Sequence, residues 1–274
     1  MESPAIEQQK GTMEANLSFQ EYLKEDAISK HGLDQLHQSP SHFLYKKSNP
    51  SAPNSSQALG VAVHALVLEP DSFSSQFAIA PDVNKRTKVG KAQWTEFEED
   101  NQGKTIISQD DYETARSMST NVLNHSRARI LLASGIPEVS LLWKDEETEV
   151  NCKGRVDWIC EKRNVLVDLK TTRNASPKEF ARDCGKYRYH CQDAFYTAGV
   201  QASGLDKPDF VFICVENTPP FDVAVYTLDE PSRNAGHEAI FKDLQRYAEC
   251  KKNNRWPGYP QNIQVLNIPR WALN

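Results

Sequence analysis

Residues 152–172, Cys-Lys-Gly-Arg-Val-Asp-Trp-Ile-Cys-Glu-Lys-Arg-Asn-Val-Leu-Val-Asp-Leu-Lys-Thr-Thr, put charged side chains where two short strands are expected to be apolar. Successive side chains of a strand point to opposite faces. Gly154, Val156 and Trp158 are therefore expected on one face and Arg155, Asp157 and Ile159 on the other. In the second run Val165, Val167 and Leu169 form the apolar side, with Leu166, Asp168 and Lys170 opposite. Residues 161–164 read as a hairpin connection. Folding the strands together brings Asp157 beside Asp168 and Lys170, so that two carboxylates and one ammonium converge.

Two carboxylates held close repel each other, and a divalent cation relieves that repulsion. Mg²⁺ takes hard oxygen ligands and keeps several waters. Water bound to a metal ion loses a proton more readily, and a second cation stabilises a leaving oxygen. Lys170 would then orient or deprotonate the attacking water, its own pKa lowered by nearby metal charge. That chemistry suits phosphodiester hydrolysis. Asp-x-Lys is also common on solvated strand faces, so the assignment needs support from other parts of the chain.

The elements expected to position this hairpin supply it. In residues 57–68, Leu59, Ala62, Val63, Leu66 and Val67 recur at helical spacing, with His64 among them. His64 is either a hydrogen-bonded core residue or, if the helix packs on the hairpin, a third metal ligand. Residues 137–143 read as a strand leading into the hairpin, with Glu138 at its start, either solvated or an additional metal contact. Residues 188–200 read as a helix that puts Gln192 and Tyr196 one turn apart on one face. That pair could bond phosphates or catalytic groups, or simply belong to an amphipathic face. Between residues 170 and 190, six basic residues (Lys170, Arg173, Lys178, Arg182, Lys186, Arg188) stand against Glu179 and Asp183. A helix opened by Pro177 would line up Lys178, Arg182 and Lys186, and i,i+3 pairing with Glu179 and Asp183 is open to the same residues.

Capped helices are expected after Ser29 and at Ser39-Pro40, a loop at 48–56, helices over 110–124 and on to about 134, strands at 210–215 and 221–228, and a long helix over 231–253. Residues 81–104, with Lys85, Arg86, Lys88 and Lys91, read as a solvated loop or a DNA-tracking segment. Residues 1–16 are polar and aperiodic and are expected to be a disordered tail, followed by one domain over 17–274.

With 274 residues, 39% hydrophobic and 25% charged, the chain has the composition of a soluble globular protein large enough to bury a core. No apolar run is long enough to span a bilayer and no signal pattern opens the chain, so a cytoplasmic location is expected, without membrane partners. The six cysteines form no Cys-x-x-Cys or Cys/His cluster, which argues against zinc and iron–sulfur modules. A formal charge of −5 means that any grip on nucleic acid must come from a local patch.

Five motifs occur in a recognisable order: Gly60-Val-Ala-Val-His64, Glu138-Val-Ser-Leu-Leu-Trp143, Gly154-Arg-Val-Asp157, Asp168-Leu-Lys170-Thr-Thr, and Tyr187-Arg-Tyr-His-Cys-Gln192-Asp-Ala-Phe-Tyr196. From about residue 28 to 244 the chain resembles the RecE (exodeoxyribonuclease VIII) branch of the PD-(D/E)xK nucleases. Val156 stands where that family commonly has proline. The resemblance implies an α/β restriction-endonuclease-like core, a central mixed sheet flanked by helices. It also implies a Mg²⁺-dependent exodeoxyribonuclease, with Mn²⁺ as a substitute, that degrades linear double-stranded DNA 5′ to 3′. Such an enzyme leaves 5′-phosphates and exposes a 3′ single strand for a RecT-type annealing protein. It places His64, Asp157, Asp168 and the Leu169 carbonyl on the metals and Lys170 at the attacking water. Glu138 and Gln192 match accessory positions, and Tyr196 completes Gln-x-x-x-Tyr. Relatives form homo-oligomeric rings, whose channel could hold the basic residues.

Ser39, Ser41 and Arg155 are candidates for the 5′-phosphate, and Lys178, Arg182 and Lys186 for the DNA backbone. Two other readings remain open at this level: a structure-specific or endonucleolytic nuclease on the same core, and a non-catalytic DNA-binding protein.

Overall fold

The fold is described from a computed structural model over residues 11–15, 17–49 and 55–268. Gly11–Glu14 forms strand β1, and Phe19–Lys24 (α1), Lys30–Gln38 (α2), Pro40–Ser48 (α3) and Ser55–Leu68 (α4) follow. Ser18, Ser29 and Ser39 cap the first three helices, each hydroxyl accepting an otherwise unpaired backbone N–H of the first turn. Next come Phe73–Gln76 (α5), Phe77–Ile79 (β2), Lys88–Asp100 (α6), Thr105–Ile107 (β3), Gln109–Asn124 (α7) and Ser126–Leu132 (α8). The centre of the chain is Ile136–Lys144 (β4), Asn151–Cys160 (β5) and Val165–Thr172 (β6), then Pro177–Lys186 (α9) and Tyr189–Ala202 (α10). Asp209–Glu216 (β7), Val223–Tyr226 (β8) and Glu230–Asn253 (α11) complete the described elements.

The main sheet runs β1-β4-β5-β6-β7-β8, and β2 pairs with β3 in a small parallel sheet. Only β6 and β7 are parallel within the main sheet, because α9 and α10 carry the chain back between them; the other neighbours are antiparallel. Helices cover both faces. On one, Ala62 and Val63 of α4, Met118 and Val122 of α7 and Ala128 of α8 pack on Val167, Leu169, Ile213 and Val215. On the other, Leu33 and Leu36 of α2, Phe195 of α10 and Leu244 of α11 pack on Leu141, Val156, Leu166, Phe210 and Phe212. Phe195, Phe210 and Phe212 are fully buried, and truncating any of them to alanine is expected to cost ~3–5 kcal/mol. The expected α/β architecture, a mixed sheet between helices, is the one observed.

Three expectations are corrected. Gly11–Glu14 pairs antiparallel with Trp143–Ser140 of β4, inside the stretch read as a tail and ahead of the boundary drawn at residue 17; a four-residue edge strand is too short and too polar to show periodicity. Residues 1–10 and 16 of that tail, 50–54 of the loop read at 48–56, and 269–274 lie outside the described residues. Residues 88–100, read as part of a charged loop, form α6, capped by the Thr87 hydroxyl on Gly90 N at 3.0 Å. Third, Val156 and Trp158 do not share a face: Val156 packs with the α10 side and Trp158 with the α4 side. The strand rolls at Asp157, opposite Glu138, whose φ of 53° is left-handed.

Candidate active site

The roll in β5 coincides with a gap in the sheet. The β5–β6 ladder consists of Trp158–Val167, Ile159–Leu166 and Cys160–Val165 and stops there. One residue further on, the Asp157 carboxylate takes the place of a backbone rung, Oδ2 accepting from Leu169 N at 2.8 Å. The two strands therefore part at Asp157 and Asp168, and helices on both faces project side chains into the opening. α4 passes close to β6 here, Gly60 facing the Thr171 hydroxyl, where an added Cβ would meet its oxygen at 3.4 Å, an ordinary contact distance.

From the α4 side comes His64. Its Nε2 lies 2.7 Å from the Leu169 carbonyl oxygen, which can only accept, so Nε2 carries the proton. Nδ1 faces Asp157 Oδ2 at 3.6 Å. Ligand atoms of His64, Glu138 and Asp157 all lie within 4.8 Å of one another. Burial holds the His64 pKa below the ordinary imidazole value despite the carboxylates of Asp168 and Glu138, so the ring is neutral and offers a lone pair. Burial, and after it the Asp168 carboxylate, push Asp157 well above the usual carboxylate range. Glu138 is also raised, by burial and then by Asp157. Its partner is Arg155, which donates from Nε to Glu138 Oε2 at 2.8 Å and from one Nη to the Leu17 carbonyl and the Ser140 hydroxyl at 2.9 and 3.0 Å.

From the α10 side comes Gln192. Its amide nitrogen donates to Asp168 Oδ2 and its oxygen accepts from Lys170 Nζ at 3.0 Å, bridging the pair that is also joined directly, Lys170 Nζ to Asp168 Oδ1, at 2.5 Å. That direct contact is an ion pair without hydrogen-bond alignment, which leaves the buried Oδ1 without a hydrogen bond. Burial alone would lower the Lys170 ammonium, but Asp168 and Asp157 outweigh it and hold its pKa above the ordinary value. The lowering expected from metal charge therefore starts from a firmly protonated lysine. Tyr196, one turn beyond Gln192, is packed against Gly154 and kept neutral by burial.

The donor set fits a divalent cation. Carboxylates, an imidazole lone pair and a backbone carbonyl are hard or borderline ligands, the acidic groups raise one another's pKa by their proximity, and the buried Asp168 Oδ1 has the Lys170 ammonium as its contact but no aligned hydrogen bond. His64, Glu138 and Asp157 are drawn together as a group. Asp168 instead turns toward Lys170 and Gln192, so Glu138, expected only as an accessory, stands in the inner cluster.

Residues 29–269 match a family described as PDDEXK-like domain of unknown function, DUF3799. The chain belongs to this PDDEXK-like family. Its fold is similar to the crystal structure of a putative exonuclease from Eubacterium rectale, at 14% identity and a TM-score of 0.62, covering 94% of this chain and 97% of that one. A second structure, SSO0001, aligns over 82% of this chain and 80% of that one at 13% identity and a TM-score of 0.34. No curated protein matches the chain. The match is to the PDDEXK-like family at large and not to its RecE branch in particular.

The remaining candidates make contacts of their own and none bonds a member of this cluster. Ser39 caps α3, its hydroxyl 3.0 Å from that of Ser41 and 2.5 Å from His42 Nδ1, while Ser41 N donates to the Pro257 carbonyl. Lys178, Arg182 and Lys186 do line up on α9; Arg182 pairs with Glu179 at 2.7 Å, and Asp183 accepts from the Thr172 hydroxyl. Among the described residues no helix is long and apolar enough to cross a membrane. The clamp on Glu138 by Arg155, itself held by the Leu17 carbonyl and the Ser140 hydroxyl, had no sequence signal beyond the presence of an arginine two residues before Asp157.

Proposed function

We propose that this PDDEXK-like protein is a divalent-metal-dependent nuclease that hydrolyses DNA phosphodiesters, and that it acts as an exodeoxyribonuclease on linear duplex DNA from 5′ ends. The observation that carries the reading is the convergence of His64, Glu138 and Asp157 beside the Asp168–Lys170 pair bridged by Gln192. A binding module gains nothing from clustered carboxylates facing a polyanion.

His64, Asp157, Glu138, Asp168 and the Leu169 carbonyl are the residues that would hold Mg²⁺ or Mn²⁺. Such an ion would supply Lewis-acid stabilisation of phosphoryl charge and a more acidic water. The chain's own part is positional. Lys170, fixed by Asp168 and Gln192, presents ammonium N–H groups to the attacking water and to a phosphoryl oxygen. Attack at phosphorus breaks the P–O3′ bond, leaving a 5′-phosphate on one product and a 3′-hydroxyl on the other. Asp157 holds the opening between the strands through Leu169 N, and Arg155 keeps Glu138 directed inward. The exposed row Lys178, Arg182 and Lys186 supplies positive charge for the backbone of an otherwise acidic chain.

The resemblance to RecE-type enzymes supports the finer parts of the proposal: 5′ to 3′ polarity, exposure of a 3′ strand for recombination with a RecT-type annealing protein, and a homo-oligomeric ring; the cytoplasmic location follows from the sequence pattern alone. The fold shared with a putative exonuclease agrees with action at ends. The test is digestion of duplexes labelled separately at each terminus, with Mg²⁺ and with EDTA, beside covalently closed circular DNA. Mg²⁺-dependent loss of the 5′ label with intact circles is expected. Cleaved circles would establish an endonuclease instead, and absence of both cleavage and calorimetric divalent-ion binding would leave a non-catalytic DNA-binding protein.

A further inference from the structure

The catalytic lysine is the inner end of a ladder of rings that leads out of the site. Lys170 Nζ lies 4.6 Å from the centroid of the Tyr189 ring, and Tyr189 stacks on Tyr187 at 5.7 Å with 29° between planes. Tyr189 is braced from behind by Phe180 and Phe212 of the core, at 5.9 Å each. Tyr187 is different: it is 47% exposed, and its other ring contact is the Lys186 ammonium at 4.9 Å, carried on a solvent-facing side chain. Tyr187 is thus the outer rung of a ring stack whose inner rung touches Lys170, and nearly half of its surface faces solvent.

Its mount is rigid. The Tyr187 carbonyl accepts from Lys30 Nζ at 2.9 Å, and the next residue, Arg188, is left-handed with φ 57°. L side chains disfavour that conformation, and here it is held by ion pairs from Arg188 to Asp34 at 3.0 Å and to Asp243 at 2.5 Å, with Lys30 on Asp34 at 2.8 Å. Backbone strain locked by buried charge is a device for presenting a side chain in one place. The turn that displays Tyr187 also starts α10, which carries Gln192, so the exposed ring and the Asp168–Lys170 bridge are set by the same backbone.

We propose that Tyr187 is a nucleobase-stacking subsite, taking the base next to the scissile phosphodiester, with Lys186 moving from the ring to the adjoining phosphate. The proposal deepens the nuclease reading and rests on it. Rings bind bases by their π-faces whatever the base, and a basic rim follows the backbone. A base stacked on Tyr187 has left its own helix, so the strand enters the site unpaired at that nucleotide.

The test uses the full chain with Ca²⁺ in place of Mg²⁺ and a duplex oligonucleotide carrying 2-aminopurine at its 5′ terminus. The wild type is expected to quench the probe; Tyr187→Ala is expected to bind about 10-fold more weakly without quenching, and Tyr187→Trp to restore both. With an abasic nucleotide at that terminus, the wild type and Tyr187→Ala are expected to bind alike. Unchanged binding by Tyr187→Ala, or an equal loss on the abasic probe, overturns the subsite. Failure of Tyr187→Trp to restore quenching overturns it as well. Hydrolysis in Mg²⁺ is read separately: quenching through Tyr187 without cleavage refutes the nuclease reading, whereas cleavage with Tyr187→Ala binding as wild type refutes only the subsite.

Discussion

Gln192→Ala tests the geometry most directly, because one side chain joins both halves of the charged pair. The substitution removes the donor to Asp168 Oδ2 and the acceptor of Lys170 Nζ together. Asp168 is 1% exposed and already has one oxygen without a hydrogen bond, so the lost donor leaves a buried carboxylate solvated only by the lysine. Bonds to charged groups are worth ~1.5–3 kcal/mol each. Lys170 is partly exposed and can recover a bond from water, and the direct ion pair survives, so the net cost to folding is about 2 kcal/mol. For a chain of this size that lowers Tm by roughly 4–8 °C. The effect on catalysis is larger, since a lysine displaced by about 1 Å costs on the order of 100-fold in rate. Thermal denaturation in EDTA and steady-state digestion of a labelled linear duplex give the two numbers. The reasoning fails if Gln192→Ala melts within about 1 °C of the wild type and digests at a comparable kcat, because Gln192 would then be a bystander to a pair that positions itself.

Asp168→Ala is expected to abolish digestion and to lower stability while the chain stays folded, since it leaves the partly exposed Lys170 without its ion-pair partner but also removes the carboxylate facing Asp157; circular dichroism with a gel assay reads both, and retained Mg²⁺-dependent digestion would contradict the site. Arg155→Met is expected to weaken divalent-ion binding about 10–100-fold by calorimetry, because it frees Glu138 while roughly keeping the volume; unchanged affinity would remove Arg155 from the site's support. Asp193 lies on α10 with its Oδ2 unpartnered, and burial pushes its pKa up to about 6 from 3.8. A carboxyl raised on folding contributes fully below its unfolded pKa, and that contribution is lost as pH rises through the folded one. Asp193→Asn is therefore expected to be more stable than the wild type by about 3 kcal/mol at pH 8 and similar to it at pH 3, by urea titration; equal stability at both would show that Asp193 ionises freely.

Much of the site could be read from residue order because its parts sit in elements with strong local signals. The apolar spacing around His64 specifies α4, the apolar run 210–215 specifies β7, and Asp168 and Lys170 keep strict alternation on β6, so their common face followed from period two alone. β5 defeated the same rule. Its roll depends on Glu138 adopting a left-handed φ on the neighbouring strand, and no glycine or asparagine marks that position. α6 escaped notice because its apolar side is short, with only Gly90 buried and Trp94 and Phe97 half-buried among charged residues. The Arg155 clamp depends on the Leu17 carbonyl, 138 residues away in sequence, and contacts at that range leave no local pattern.

Asp157 does the work of a backbone group, and that has a bearing on which variants are informative there. Where a peptide carbonyl of β5 would ordinarily meet β6, a carboxylate oxygen meets Leu169 instead, so an alanine would open the seam as well as discharge the pocket. Asparagine keeps an oxygen for the amide and gives up only the capacity to ionise. It is thus the replacement that separates damage to the scaffold from damage to the chemistry.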